Sequence, residues 1–233
     1  SLSGALIGGL LFGVGMVMTR GCASRLLVLS ANGNLRALLS GLIFAVTAQA
    51  SLGGALSPLR TIISSWWTVE GGASRDLLAV MGLGHWAGLA MGGIWLLAAL
   101  FFALRSPQRS AWMWLGGIGS GLAVAAAWGF SQWVAAESFD AVQIQGLTFS
   151  GPSAEWLMRV LHWPAPALGF DFGLMPGVFI GSLMGALIGG DWKLEGFTDG
   201  YSMRRYIGGA VLMGFGSMLA GGCAVGAGVT GGA

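Results

Sequence analysis

The chain holds two cysteines, and each closes the same frame. Gly13-Val14-Gly15 leads through five residues to Gly21-Cys22-Ala23, and Gly214-Phe215-Gly216 leads through five to Gly222-Cys223-Ala224. The second copy lies 201 positions after the first throughout, and Gly8/Gly209 and Leu11/Leu212 extend the match. A thiol is a weak donor on a soft, polarisable atom. A glycine just before it lets the backbone bend and opens amide N–H groups at a helix start, where unpaired donors and the local dipole stabilise an anion. This combination suits a soft, sulfur-bearing anion better than a strongly hydrated hard one. A lone buried cysteine in an apolar helix is usually just a small hydrophobe. Repetition in one frame favours a functional pair, with Cys22, Cys223, Gly21 and Gly222 along a substrate path.

Arg20, Ser24 and Arg25 flank the first cysteine and are candidate anion contacts, although an arginine at a helix end also serves as a snorkelling anchor. His85 falls near the outer end of a long apolar span, where an interfacial hydrogen bond competes with a place along the path. His162 sits among Trp163 and prolines and reads as structural. Two cysteines make no disulfide framework, and the sequence has neither CxxC nor a Cys/His cluster at metal-ligand spacing, so neither metal nor cofactor is expected. There is also no G-x4-G-K-[ST] phosphate loop, which removes direct ATP-driven transport.

The elements that must position these residues are membrane helices. Of the 233 residues 55% are hydrophobic and 9% charged, mean hydropathy is +0.77, and a soluble domain carries roughly a quarter charged residues. The 43 glycines fit a bilayer, where small residues let helices approach closely. A net charge of +2, confined to loops, excludes a nucleic-acid surface. The fold class is an all-α integral membrane protein, a polytopic bundle with short glycine-interrupted helices around a central pathway.

Six spans are expected at about 20 apolar residues each. They are Leu2 to Thr19, Leu35 to Leu56, Leu77 to Leu104, Ala111 to Ala135, Phe172 to Gly190, and a sixth from Tyr206 to Gly222-Cys223. A short helix is expected from Ser24 to Ser30, before the turn signal Asn32-Gly33-Asn34. Ser64 to Asp76 reads as a loop anchored by Trp66-Trp67, and Ala154 to Trp163 as an amphipathic interfacial helix. Gly177, Gly181, Gly185 and Gly189 form one stripe, expected to be a packing groove. Since an unbroken helix from Leu2 would carry Cys22 nearly across the bilayer, a central cysteine requires tilt or a break near Gly13 and Gly15.

Orientation follows from the basic residues. With the Arg105/Arg109 loop inside, Arg20, Arg25, Arg36, Lys193, Arg204 and Arg205 are also inside, and only Arg60, Arg75 and Arg159 outside. The helices leading to the two cysteines then enter from opposite faces as inverted repeats, the pattern in which secondary transporters place a site near the midplane. The whole chain, 1–233, reads as one transmembrane domain with halves of roughly 1–104 and 111–233. An apolar segment begins directly after Ser1 without a basic leader, and further chain is expected at both ends.

The segments FGVGMVMTRGCAS and LMGFGSMLAGGCAVG, with GNLRALLSGLIF after the first, resemble the YeeE/YedE membrane proteins of the bacterial inner membrane. The resemblance is strong at both ends of the chain and rests on hydropathy in the middle. It implies an hourglass-shaped inverted-repeat fold whose central cysteines contact thiosulfate in turn, here Cys22 and Cys223. It further implies import of thiosulfate or a similar sulfur oxyanion and a cytoplasmic sulfur-carrier partner of the TusA type, beside membrane lipid. The chain departs from the family pattern at Arg25, where a glycine is expected; the family's helices upstream of the first motif, with a further cysteine, and beyond the second are expected outside residues 1–233. Two other readings stay open: a membrane sulfurtransferase carrying a cysteine persulfide, and a non-transporting subunit that docks a partner on its cytoplasmic loops.

Overall fold

The computed structural model describes residues 1–69, 85–105, 110–137, 147–161, 171–197 and 200–226. Among these residues there are nine helices and no strand: α1 Leu2–Thr19, α2 Ala23–Ala31, α3 Leu35–Gly53, α4 Ser57–Ser65, α5 His85–Arg105, α6 Ala111–Glu137, α7 Ser150–Leu161, α8 Asp171–Gly189 and α9 Gly200–Ala220. His162, Arg75, Arg109 and the side chain of His85 lie outside the described residues.

Four stretches of the described residues are long and apolar enough to cross a membrane: Leu2–Ala31, Leu35–Gly53, Ala111–Val134 and Gly200–Gly226. Two of the six expected spans are shorter as described, Ala90–Arg105 and Gly173–Gly189. The protein is an all-α, multi-pass membrane protein.

The chain forms two compact units, one of residues 1–69 and 147–232, the other essentially 70–146. The second unit contains α5 and α6. Within it Arg105 lies 4.7 Å over the Phe101 ring, and Phe130 packs beside Trp133 at 6.0 Å.

The first unit is organised by α1 against α9, its most extensive helix pair. A Cβ on Gly8 would lie 2.7 Å from the Gly216 carbonyl oxygen, and one on Gly15 would lie 2.6 Å from that of Gly209. Contacts that fall in number along α9 as they rise along α1 make the pair antiparallel. The repeat offset converts one contact into the other: Gly8 corresponds to Gly209, and Gly15 to Gly216. The two copies therefore face each other across a local pseudo-twofold, in contact at backbone distance. α3 packs on the other side of α9, where a Cβ on Gly214 would come within 2.8 Å of the Phe44 carbonyl oxygen.

The three buried hydroxyls of α3 need no partner on another helix. Ser40, Thr47 and Ser51 donate to the carbonyls of Arg36, Ile43 and Thr47 at 2.9, 2.8 and 2.7 Å, which satisfies each hydroxyl within its own helix. The start of α1 is held at the end of α4, Ser3 Oγ donating to Ile63 O at 2.8 Å and Leu2 N to Trp67 O at 2.9 Å.

The structure differs from several expectations. Ser57–Ser65, which follows the second expected span and overlaps the start of the expected loop at Ser64, forms α4, with Pro58 in its first turn, where its missing N–H costs nothing. α7 starts at Ser150, earlier than expected, and buries Ser150, Pro152, Ser153 and Ala154. α9 starts at Gly200, since the polar residues before Tyr206 continue the helix. Along the stripe, a Cβ on Gly177, Gly181 or Gly185 would meet no described atom within 4 Å, and one on Gly189 would meet the Asp191 side chain at 3.3 Å. The glycines in close contact are instead on α1 and α9, because small spacing permits close approach but does not name the partner. α1 also runs unbroken through Gly13 and Gly15, the interruption coming at Arg20 and Gly21.

Candidate functional site

Both repeats end their helix with the same hydrogen-bonded turn. Gly21 N donates to Met16 O at 3.1 Å and Gly222 N to Ser217 O at 2.8 Å, bonds that satisfy late carbonyls of the helix. The residue before each glycine takes the left-handed conformation, Arg20 with φ 60° and Gly221 with φ +85°. Arg20 is the sole non-glycine in that region among the described residues. Thr19 Oγ1 lies 2.8 Å from Gly15 O and 2.9 Å from Gly21 O, so its single proton ties the turn to the helix from either side.

Cys22 follows as the N-cap of α2, in extended backbone with φ −81° and ψ 174°, and no side chain caps the helix. The first amide groups of α2 therefore have no side-chain acceptor. Cys22 is half-buried, and its Sγ lies 3.1 Å from Ser24 Oγ. Of the other candidates, Arg25 folds its methylenes over Gly21, within 3.1 Å of where a Cβ would be. Arg20 and Arg25 are both exposed.

Cys223 is in different surroundings. It is buried, 2% exposed, and its sulfur accepts from Phe149 N at 3.3 Å and Gly226 N at 3.5 Å, with Thr148 Oγ1 at 3.6 Å. Thr148 is in turn 3.2 Å from Ser150 Oγ. This sulfur is an acceptor at the start of α7 rather than a free donor. Nothing local in the sequence announces Thr148 and Phe149, which stand some 75 positions away and meet Cys223 only through the fold.

Because α1 and α9 are antiparallel, the two turns lie at opposite ends of the pair. Gly4 reaches Leu219, and Met18 reaches Gly209. Both cysteines nonetheless belong to one apolar cluster, Cys223 as a member with Phe12, Phe44, Phe149 and Met213, and Cys22 packed against it. Among the described residues no group of His, Cys, Asp or Glu is placed to hold a metal ion.

A family described as sulphur transport matches residues 1–233. The chain belongs to the sulphur transport family. Among curated relatives it is 27% identical to a thiosulfate transporter, TsuA, of Spirochaeta thermophila, over 99% of this chain and 70% of that protein. It is 23% identical to the thiosulfate transporter TsuA of Escherichia coli, over 97% of this chain and 66% of that protein. The chain thus spans about two thirds of the length of these relatives. The protein is a membrane-spanning member of a sulfur-compound transport family.

Proposed function

We propose that the protein imports thiosulfate or a similar sulfur-containing anion across the bacterial inner membrane, along a path that includes Cys22 and Cys223. The supporting observation is the pairing of a whole-chain family match with a half-buried thiol at an uncapped helix start. In this reading Cys22 and the first amides of α2 hold the anion by weak S–H and N–H hydrogen bonds, with Gly21 and Gly222 shaping the turns, and Arg20, Ser24 and Arg25 nearby. Such contacts are numerous but individually modest, so the anion is held and then released. The two halves, roughly 1–104 and 111–233, act as inverted repeats of one domain. A cytoplasmic sulfur-carrier of the TusA type would receive the product.

Uptake of ³⁵S-labelled thiosulfate by cells without other uptake routes is the direct test. Loss of uptake with Cys22→Ala is expected, and wild-type uptake by the Cys22→Ala, Cys223→Ala double variant would sink the cysteine path.

The donors around Cys223 favour a second reading, since they suit a sulfur bearing negative charge. A thiolate there would attack the outer sulfur of thiosulfate, forming a cysteine persulfide while the S–S bond breaks and sulfite departs with the electron pair. Mass spectrometry of the protein after exposure to thiosulfate separates the two. A stable mass gain of one sulfur atom at Cys223 means chemistry, and an unchanged mass means binding alone.

A further inference from the structure

The end of the α1–α9 pair that carries Cys22 also carries a cavity of about 420 Å³, lined by Asn34, Arg36, Glu195, Phe197, Ser202 and Tyr206 among others. Tyr206 is its least expected lining residue, a phenol 6% exposed near the start of α9. Its hydroxyl oxygen accepts from Arg36 Nη1 at 2.9 Å, and among the described residues nothing takes its own proton. Arg36 also lies 4.8 Å from the ring centroid, and Arg205 lies 5.4 Å from it. Among the described residues neither of these guanidiniums has a carboxylate within ion-pair distance.

The half-buried Arg36, with the exposed Arg205 beside it, gives the buried phenol two positive neighbours and favours an anion in the cavity. Glu195 is the acid on the cavity wall. It accepts from Asn34 Nδ2 at 2.5 Å, and its backbone bridges the α2–α3 turn through Glu195 N to Gly33 O and Leu35 N to Glu195 O, each 3.0 Å. Its role on the wall is to fasten the α8–α9 connection.

We propose that this cavity is a binding site for a small, doubly charged oxyanion, separate from both cysteines, held by the Arg36 guanidinium and the Tyr206 hydroxyl proton, with the exposed Arg205 guanidinium over the Tyr206 ring adding positive charge nearby. A planar guanidinium matches paired anionic oxygens, and the phenol adds a neutral donor oriented by Arg36. The chemistry fits a free sulfur oxyanion waiting beside the Cys22 end, and equally the phosphate of a lipid headgroup. Only the first assignment rests on the transport reading above.

Binding of ³⁵S-labelled thiosulfate to the purified chain in phosphatidylcholine nanodiscs tests the site, in a Cys22→Ala, Cys223→Ala background, with inorganic phosphate as competitor. Binding that survives the loss of both cysteines is expected. Tyr206→Phe should weaken it about tenfold, the loss of one buried hydrogen bond, and Arg205→Gln should weaken it by less, the loss of one nearby exposed charge. Arg205→Lys should restore part of it, and Glu195→Gln should tighten it. Arg205 is exposed, so its variants are expected to fold where Arg36→Gln does not. Affinity unchanged by Arg205→Gln and Tyr206→Phe, or binding abolished by the cysteine changes alone, overturns the proposal. Phosphatidylglycerol that co-purifies with the wild type, and is lost with Arg205→Gln, would support the site and name its occupant as a headgroup phosphate. Binding without uptake would leave the site standing and remove the transport reading, and uptake without binding would do the reverse.

Discussion

Cys22 and Cys223 stand in identical frames, yet their sulfurs face different surroundings. Cys22 is half-buried beside one hydroxyl, whereas Cys223 is buried and accepts from two backbone amides. Thiol reactivity follows access, so N-ethylmaleimide should modify Cys22 at least about tenfold faster than Cys223. Peptide mapping after timed labelling reads this, and thiosulfate should slow the reaction at Cys22. Arg20 offers a second test, because its φ of 60° costs an L-residue about 1 kcal/mol. The second repeat has Gly221 at the equivalent position. Arg20→Gly should therefore raise stability by about 1 kcal/mol in a detergent thermal melt, while weakening anion binding. A loss of stability would show that the arginine is needed for the turn.

At the scale of elements, the α1–α9 contact depends on backbone approach at Gly8, Gly15, Gly209 and Gly216. A methyl group on Gly8 meets Ala220 N at 2.5 Å and Gly216 O at 2.7 Å, and backbone on both sides cannot move aside. Gly8→Ala should cost about 2 kcal/mol or more through overpacking. Gly181→Ala on α8 enters open space and should be neutral or stabilising by up to about 1 kcal/mol, the helix-propensity gain. Melting both variants in the same detergent compares them directly. Both sites occur in glycine-rich apolar helices, and nothing in the periodicity ranks one above the other. The α8 stripe stands out in sequence because regular four-residue spacing records a possible groove, while the contact depends on which helix comes alongside.

At the scale of the whole molecule, the orientation read from the basic residues remains a proposal, and it puts the Arg36–Tyr206–Arg205 end in the cytoplasm. With the native cysteines replaced, a membrane-impermeant maleimide should label Ser202→Cys in inside-out vesicles and leave it unlabelled in right-side-out ones. The reverse pattern would turn the protein over and make the anion cavity a point of uptake. Much of the architecture was already legible in the residues. Low charge, glycine content and apolar run length specify membrane helices, because a bilayer core accepts little else. The repeated frame specifies two like turns, since each copy carries its own local hydrogen-bonding pattern from Met16 to Gly21 and from Ser217 to Gly222. The basic residues already set the two copies in opposite directions, but tertiary structure alone decided that they pack on each other at backbone distance, that Phe149 and Thr148 surround Cys223, and that Arg36 meets Tyr206 across 170 positions. Turn geometry is stored within a few consecutive residues, whereas these contacts exist only after helices distant in the chain have been brought together by burying their shared faces.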